Sequence, residues 1–297
     1  MTCTDTNSKG QIMQPLTNTA PWESFKLQHL SPAIGTEIQG IDLSHALSID
    51  IIDWLTELLV ERKVLFFRDQ ALTAEQHIAF AARFGELEIH PFTDNNAQHP
   101  EIIKLNNDPL HPPKINKWHS DVTWRKKPSL GSILLAREVP EVGGDTLFAN
   151  MELAYEKLPN KTKTQIKISL ACHDNQAFLD NMRVKGANEE DIAAIALSYP
   201  PVKHPTVRTH PVSGRKSLYV NQIFTRSLDG FDTEQSDKLL SELFLTAWNP
   251  DIQCRFRWRK NSVAFWDNRA VQHFAAADYW PSTRQMERVT IQGDAPY

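Results

Sequence analysis

Apolar residues recur along this chain with two different periods. Over residues 48–65 they return every three or four positions, which predicts an amphipathic helix with Asp50 as its N-terminal cap. The continuous apolar run Val64–Phe67 follows and is typical of a buried strand. A second helix is predicted over residues 73–84, because Gly85 stands just past its end.

The rest of the pattern predicts short strands with helices between them. Strands are expected over residues 25–27, 34–38, 129–137, 146–149, 217–221, 254–258, 262–266 and 287–293, and helices over residues 151–158, 189–196 and 234–248. Residues 86–117 are rich in proline and histidine without a regular period, and we interpret them as an irregular segment that could cover a site. This order of elements predicts a β-rich α/β fold.

Composition and charge are those of an ordinary globular protein. Hydrophobic residues make up 41% of the 297 positions and charged residues 23%. The net charge of −4 excludes a global basic field that would recruit nucleic acid or an anionic membrane surface. No apolar run approaches about 18 residues, so we expect no membrane-spanning helix.

No internal repeat or break in composition divides the chain, so we expect one domain over residues 21–297. Residues 1–20 are polar and lack the apolar core of a signal peptide, and we interpret them as a flexible tail. The cysteines Cys3, Cys172 and Cys254 have no metal-binding spacing, which favours reduced thiols and a cytoplasmic location.

The first candidate for chemistry is the pair His119 and Asp121. On a strand this spacing would turn both side chains to one face, where they could reach one metal ion. One such pair is weak evidence, because a hydrogen-bonded histidine at a strand end has the same pattern. With His273 as third ligand, two histidines and one carboxylate describe a non-haem Fe(II) oxygenase site. The same three residues could also hold zinc in a hydrolase.

Two arginines near the C-terminus favour the oxygenase. Arg284, Met286, Arg288 and Thr290 would lie on one face of a strand, because successive side chains alternate. A guanidinium group is a rigid two-pronged donor for a carboxylate or a sulfonate. We therefore expect both arginines to point towards the same site as His273.

Longer motifs carry a resemblance to a known family. They are AIGTEI at residues 33–38, RFGEL at 83–87, IHP at 89–91, WHSDVT at 118–123, GGDTL at 143–147, the stretch 204–214, WDNR at 266–269, QH at 272–273 and ADY at 277–279. Over residues 25–297 the chain resembles the TauD/TfdA family of Fe(II)- and 2-oxoglutarate-dependent dioxygenases, and within that family the taurine dioxygenases.

The resemblance implies a double-stranded β-helix, or jelly roll, in which two antiparallel sheets enclose the site and helices flank them. It implies Fe(2+) as the metal, with 2-oxoglutarate and O2 as co-substrates. In this chemistry 2-oxoglutarate is decarboxylated to succinate and CO2 while the substrate is hydroxylated. Taurine or a related alkylsulfonate, hydroxylated beside sulfur, would then release sulfite and an aldehyde. Family analogy also suggests a homo-oligomer, a dimer or a tetramer.

By position, the resemblance assigns the iron ligands to His119, Asp121 and His273. Arg284 matches the arginine that pairs with the distal carboxylate of 2-oxoglutarate. Thr146 matches the hydroxyl group that donates to the same carboxylate.

Arg288 and His90 match the residues that hold the sulfonate of the substrate. Two positions depart from the taurine pattern, because Ile115 stands in place of a sulfonate-binding asparagine and Thr93 in place of a tyrosine. A more apolar wall at Ile115 favours a larger or less polar anion, so alkyl sulfates and aryloxyalkanoates stay open beside taurine. A non-catalytic jelly-roll binding protein is the alternative from a different class.

Aromatic residues near these motifs are expected to pack in the core or the pocket wall: Trp118, Trp124, Phe224, Phe265 and Trp266. His204 and His210 lie in proline-rich turns and are expected to be structural. Asp267 and Asn268 are expected to hold the loop of His273 through side-chain bonds to the backbone.

Overall fold

The computed structural model describes residues 20–91 and 98–297. The predicted flexible tail, apart from Ala20, lies outside the described residues, and so does Thr93. The α-helices of the described residues are α1 (Ile49–Arg62), α2 (Ala74–Ala81), α3 (Met151–Glu156), α4 (Asn160–Ile166), α5 (Gln176–Val184), α6 (Glu189–Ser198) and α7 (Thr233–Leu245). Short 3-10 helices span Pro21–Ser24, Thr246–Trp248 and Pro250–Ile252.

The strands of the described residues are numbered in chain order. They are β1 (Lys26–His29), β2 (Thr36–Gln39), β3 (Val64–Phe67), β4 (Ile102–Asn107), β5 (Gly131–Glu138), β6 (Thr146–Asn150), β7 (Leu170–His173), β8 (Val202–Pro205), β9 (Val207–Thr209), β10 (Lys216–Leu218), β11 (Thr225–Leu228), β12 (Gln253–Phe256), β13 (Val263–Asp267), β14 (Val271–Ala275) and β15 (Arg284–Ile291).

A large and a small sheet pack face to face. Seven strands form the large sheet in the order β1-β2-β3-β13-β5-β15-β4, and β12-β6-β14 form the small one. Phe66 and Trp266 of the large sheet share a buried cluster with Phe148 and Phe256 of the small sheet. This jelly-roll sandwich, with helices outside it, confirms the predicted fold class. The pairing of β2 with β3 is parallel, unlike the antiparallel sheets expected, because α1 crosses over between them.

The buried strand β3 is confirmed and explains its continuous apolar sequence. Leu65 and Phe67 face the helix-covered side of the large sheet, where Leu55 of α1 and Phe80 of α2 pack. Phe66 lies between these two residues in the sequence, so its side chain points to the other side of the sheet and packs against the small sheet. A strand with both faces covered requires apolar residues at every position.

The two N-terminal helices begin at capping residues. Ser48, not Asp50, caps α1, since its side chain accepts a hydrogen bond from the backbone N–H of Ile51 at 3.4 Å. Asp50 instead lies in the first turn, where a negative charge suits the helix dipole. The chain leaves α1 at Lys63, whose φ of 67° cannot continue a right-handed helix.

The interpretation of residues 86–117 as an irregular, loop-rich segment was wrong for residues 102–107. This segment contains β4, which pairs with β15 from Ile102 opposite Val289 to Asn107 opposite Arg284. β4 is the edge strand of the large sheet, and asparagine and lysine interrupt its apolar pattern. Only the long-range ladder with β15 makes it a strand.

Other short elements were also missed by periodicity. These are the strands β7, β8, β9, β11 and β14 and the helices α4 and α5. Strands of three to five residues carry too few positions for a period to emerge, so their partners determine them. Within the part of the chain that the structure describes, no helix combines the length and apolar character needed to cross a bilayer.

Candidate metal centre

Three side chains predicted as metal ligands meet in the space between the sheets. His119, Asp121 and His273 are all buried, and each offers one ligand atom within 4.8 Å of the others. His119 Nε2 lies 3.7 Å from Asp121 Oδ1, and the two imidazole centroids are 4.2 Å apart. These spacings suit three ligands on one side of a single ion.

Backbone hydrogen bonds hold the two histidines together. The N–H of His119 donates to the carbonyl of His273 at 3.1 Å, and the N–H of His273 donates back at 2.8 Å. The expectation that His119 and Asp121 share one face of a strand was wrong. His119 forms a single bridge, and the chain then turns at Asp121, with Val122 at a φ of 49°. The turn, not a strand pleat, brings the carboxylate beside the imidazole.

Asn268 holds the backbone of Asp121 from both sides. Its Oδ1 accepts a hydrogen bond from the Asp121 N–H at 2.7 Å, and its Nδ2 donates to the Asp121 carbonyl at 2.9 Å. The prediction that Asn268 holds the loop of His273 was wrong, because His273 lies on β14 and the Asn268 side chain bonds to Asp121. The Asp267 side chain does bond to the backbone, since it accepts from the N–H of Arg269 at 3.0 Å in the turn before β14, and it also bonds to the Arg269 and His210 side chains. The contacts of Asn268 therefore act on the carboxylate ligand.

The protonation states of these residues are those that bind a cation. Burial lowers the pKa of His119 and lowers the pKa of His273 to about 3, so both rings are neutral. His119 Nδ1 lies 2.8 Å from the carbonyl of Lys117, which leaves Nε2 free to bind a metal when Nδ1 carries the proton. Burial opposes ionisation of Asp121, but the Arg288 guanidinium, the two neighbouring imidazoles and the Ser132 hydroxyl together outweigh it and hold the pKa of this carboxyl below its ordinary value.

The donor set passes a chemical test for iron. His273 Nδ1 is buried and has no hydrogen-bond partner among the described residues. Ser132 Oγ donates to Asp121 Oδ2 at 3.3 Å, which orients the carboxylate without neutralising it. Two neutral imidazoles and one carboxylate fit non-haem Fe(II), which prefers this mixed set.

Arg284 begins β15, Arg288 lies four residues further along the strand, and the two side chains reach different parts of the site. Arg288 Nη1 donates to Asp121 Oδ1 at 3.0 Å, and its buried Nε has no partner among the described residues. Arg284 Nε donates to the carbonyl of Gly144 at 3.2 Å. No carboxylate of the described residues forms an ion pair with Arg284, and burial lowers its pKa against the smaller opposing effect of Tyr279 and Asp145. A buried guanidinium in this condition favours an anionic ligand.

Trp258 connects Arg284 with Thr146 and was not among the predicted site residues. Its indole Nε1 donates to Thr146 Oγ1 at 2.9 Å, so the threonine hydroxyl keeps its hydrogen for another acceptor. The guanidinium of Arg284 lies 5.8 Å from the ring centroid of Trp258. On β6, Thr146 lies two residues from Phe148, which pairs with His273. Thr146 and Arg284 thus share one region beside the metal ligands.

His90 is buried among aromatic rings next to the arginines. Its centroid lies 5.7 Å from Phe178 and 6.4 Å from Trp124. Burial lowers the pKa of His90 to about 3, and the charges of Arg288 and Arg125 act in the same direction. The ring is therefore a neutral donor at physiological pH.

The aromatic residues expected to pack are all buried, and Trp124, Phe224 and Trp266 contact residues of the site, with the Trp266 ring 5.0 Å from that of His273. Phe224 lies 6.4 Å from the ring of His119 and stacks on Phe178 at 5.9 Å. Phe178 belongs to α5, which periodicity missed, so this part of the wall was not predicted. Trp124 packs against Phe178 at 5.9 Å. Ile115, which was predicted to make the pocket wall more apolar, is by contrast 47% exposed.

Comparison with known proteins agrees with this geometry. The family described as "Taurine catabolism dioxygenase TauD, TfdA family" matches residues 26–290. An alkylsulfatase of Acinetobacter baylyi is 34% identical over 92% of this chain and 87% of that protein. An alpha-ketoglutarate-dependent sulfonate dioxygenase of Saccharomyces cerevisiae is 30% identical over 92% of this chain and 68% of its own length. A taurine dioxygenase structure from Burkholderia xenovorans superposes with a TM-score of 0.78 at 34% identity, over 92% of this chain and 91% of that one.

Proposed function

Because this chain belongs to the TauD/TfdA family of 2-oxoglutarate-dependent dioxygenases, we propose that it hydroxylates an alkylsulfonate at the carbon bonded to sulfur. Taurine and longer alkylsulfonates are the substrates that we favour. The observation that carries the proposal is the convergence of His119, Asp121 and His273 beside two arginines, the buried Arg284 and Arg288, whose side chain is 13% exposed. One arginine is needed for the co-substrate and one for the substrate anion.

When bound, Fe(II) with 2-oxoglutarate and O2 supplies the oxidising power, and succinate and CO2 are its by-products. His119 and His273 would hold the iron as neutral imidazoles, and Asp121 as a carboxylate whose negative charge partly offsets that of the ion. The backbone bonds between the two histidines keep these ligands in position before the ion arrives. Such pre-organisation lowers the cost of binding.

Arg284 and Thr146 would bind the distal carboxylate of 2-oxoglutarate. The guanidinium forms no ion pair with a carboxylate of the described residues, and the hydroxyl hydrogen of Thr146 is not used by Trp258. Gly144 leaves room for this arrangement, since a Cβ there would lie 3.3 Å from Arg284 Cδ. A charge-assisted bond and a neutral one would together fix the orientation of the co-substrate.

Arg288 and His90 would hold the sulfonate. The guanidinium already contacts Asp121, so an anion bound there would place its neighbouring carbon near the iron ligands. His90, being neutral, can donate one hydrogen bond without adding charge. Phe178 and Phe224 would contact the carbon chain and exclude water from the C–H bond that reacts.

Hydroxylation at this carbon leads directly to the products. The 1-hydroxyalkylsulfonate loses its hydroxyl proton, the C–S bond breaks with its electron pair moving to sulfur, and sulfite leaves an aldehyde. An alkyl sulfate ester would follow the same course through cleavage of its C–O bond and release sulfate. The similarity to an alkylsulfatase makes sulfate esters the second candidate. Aryloxyalkanoates are the third class to test.

A panel of substrates tests the proposal. The enzyme with Fe(II), 2-oxoglutarate and ascorbate is given taurine, hexanesulfonate, hexyl sulfate and an aryloxyacetate, and succinate is measured. We expect succinate and sulfite in equal amounts with an alkylsulfonate. Sulfate instead of sulfite would favour the second candidate, and an aryl alcohol the third. The absence of succinate above the substrate-free rate with every anion would overturn the proposal.

Two alternatives from other classes give different results. A non-catalytic binding protein would bind the anion equally well after His119→Ala and would form no succinate. A zinc hydrolase would show no visible charge-transfer absorption when Fe(II) and 2-oxoglutarate are added without oxygen. We expect that absorption, and we expect His119→Ala to abolish it.

A further inference from the structure

A buried acid that sequence reasoning did not identify lies beside the proposed anion site. Glu88 is 6% exposed, and its backbone N–H donates to the carbonyl of Thr290 on β15 at 2.8 Å. It therefore runs alongside the strand that carries Arg288 and lies two residues before His90. Neither the metal ligands nor the 2-oxoglutarate residues explain a carboxylate at this position.

Glu88 forms an ion pair with Arg125. Glu88 Oε2 lies 2.7 Å from Arg125 Nη1, and both side chains are largely buried. Burial raises the pKa of Glu88, while the charges of Arg125 and Arg288 lower it. The charge of Arg125 also acts on His90. The pair is thus electrically coupled to both residues proposed to hold the substrate.

The charges around the proposed anion site leave one positive charge for the substrate. Arg288 and Arg125 each contribute one positive charge, Glu88 contributes one negative charge, and His90 is neutral. Asp121 is assigned to the metal. Lys127 lines a separate cavity of about 230 Å³ on the outer side of the Glu88–Arg125 pair, which neither Arg288 nor His90 lines, and water screens its exposed side chain.

We propose that Glu88 makes this site selective for anions of single charge. Sulfonates, sulfate monoesters and carboxylates carry one negative charge, whereas a phosphate monoester carries about 1.5 to 2 at pH 7. A second charge on the ligand would meet the Glu88 carboxylate in a partly desolvated space, where repulsion is strong. The proposal rests on the function proposed above and names the class of anion that the site rejects.

A purely structural role for the ion pair makes a different prediction. Buried pairs contribute little to stability on balance, but removing one partner leaves an unpaired charge. Glu88→Gln keeps the shape of the side chain and an oxygen that accepts from Arg125, and it removes only the negative charge. A structural pair would lose stability on this change without altering the preference between ligand charges.

Three ligands with the same carbon chain test the role of charge. Hexanesulfonate carries one negative charge and hexyl phosphate nearly two. Methyl hexyl phosphate is a phosphate diester, so it keeps the phosphate group but carries only one negative charge. Their dissociation constants are measured by calorimetry with the Fe(II)- and 2-oxoglutarate-loaded enzyme in the absence of oxygen. In the wild-type protein we expect hexyl phosphate to bind about 10-fold or more weakly than the two monoanions.

The variant Glu88→Gln should tighten hexyl phosphate binding by about 10-fold and change hexanesulfonate binding much less. With hexanesulfonate as substrate, any change should appear in KM and not in kcat. Glu37→Gln is the matched control, because Glu37 is a largely buried partner of Arg68 at 2.8 Å. It lies on β2, four strands from β15 in the large sheet. Both variants change the net charge of the protein equally. A difference in their affinities for hexyl phosphate therefore reports the position of the lost charge and not the net charge.

The outcomes separate this inference from the proposed function. Equal affinities of wild type for hexyl phosphate and methyl hexyl phosphate, or an unchanged ratio in Glu88→Gln, would overturn the inference while sulfonate turnover continued. Binding of none of the anions, together with no succinate, would overturn the proposed function and the inference with it.

Discussion

His119 and His273 exchange both of their backbone hydrogen bonds, although more than half of the chain separates them. The N–O distances of 3.1 and 2.8 Å fix the two main chains side by side, and the imidazole rings follow at a centroid separation of 4.2 Å. The two histidine ligands are therefore positioned by main-chain pairing, which a side-chain substitution leaves intact.

Replacing one imidazole should remove metal binding without unfolding the protein. For His119→Ala we expect the affinity for Fe(II) or Co(II) to fall by more than about 100-fold, since loss of an outer partner alone costs 10–100-fold. The backbone bridge to His273 stays, so the melting temperature of the metal-free protein should change little. His111→Ala, at a largely exposed histidine, is the control for metal titration and melting.

Asn268 should matter for the carboxylate ligand. Asn268→Ala removes hydrogen bonds to both backbone groups of Asp121, and we expect metal affinity to drop by about 10–100-fold. Loss of these buried bonds should also lower the free energy of unfolding by about 1–3 kcal/mol.

Asn249→Ala separates these two effects. Asn249 Oδ1 accepts a hydrogen bond from the N–H of Asp251 at a 3-10 helix, so its loss should affect stability alone. Equal metal affinity in wild type and Asn268→Ala would contradict a positioning role for Asn268.

Arg284 should control the affinity for 2-oxoglutarate. Arg284→Ala removes the buried guanidinium and should weaken 2-oxoglutarate binding by about 2–5 kcal/mol, roughly 30- to several thousand-fold. Arg284→Lys keeps the charge but loses the two-pronged geometry, so an intermediate loss is expected. The measurement is the dissociation constant of 2-oxoglutarate without oxygen, and the half-exposed Arg183→Ala is the control. Unchanged binding in Arg284→Ala would exclude this role.

A histidine away from the metal should make the protein less stable in acid. His77 is fully buried with Nε2 3.1 Å from the carbonyl of Ile133, and burial lowers its pKa from 6.5 to about 4. The His77 imidazole is therefore protonated near pH 6.5 in the unfolded chain but only near pH 4 in the folded protein. Stability should fall as the pH drops through this interval, by up to about 3 kcal/mol from this residue.

Urea unfolding of the metal-free protein between pH 7 and 4.5 measures this effect. We expect His77→Gln to reduce the slope of the unfolding free energy against pH by an amount that corresponds to the uptake of nearly one proton. Other buried histidines such as His90 still contribute to the slope that is left. His45→Gln is the control, because the His45 side chain is 80% exposed. An identical slope in wild type and His77→Gln would contradict the assignment.

Local patterns in the sequence were sufficient for some of this structure. The three-to-four-residue spacing of apolar residues predicted α1 and their continuous run predicted β3, because a helix face and a doubly covered strand each impose their own pattern on neighbouring residues. The motifs around His119, Asp121 and His273 named the candidate ligands, since few combinations of side chains suit Fe(II). Chemical identity and local burial can both be read one segment at a time.

Tertiary structure alone determined how these segments meet. The strand β4 exists because β15 pairs with it, and Asp121 reaches His119 through a turn that Asn268 holds from a distant segment. The Glu88–Arg125 pair joins segments whose local sequences say nothing of each other. Hydrogen bonds and charges act over a few ångströms in space whatever the separation along the chain, so the charge balance of the site appeared only when the chain was folded.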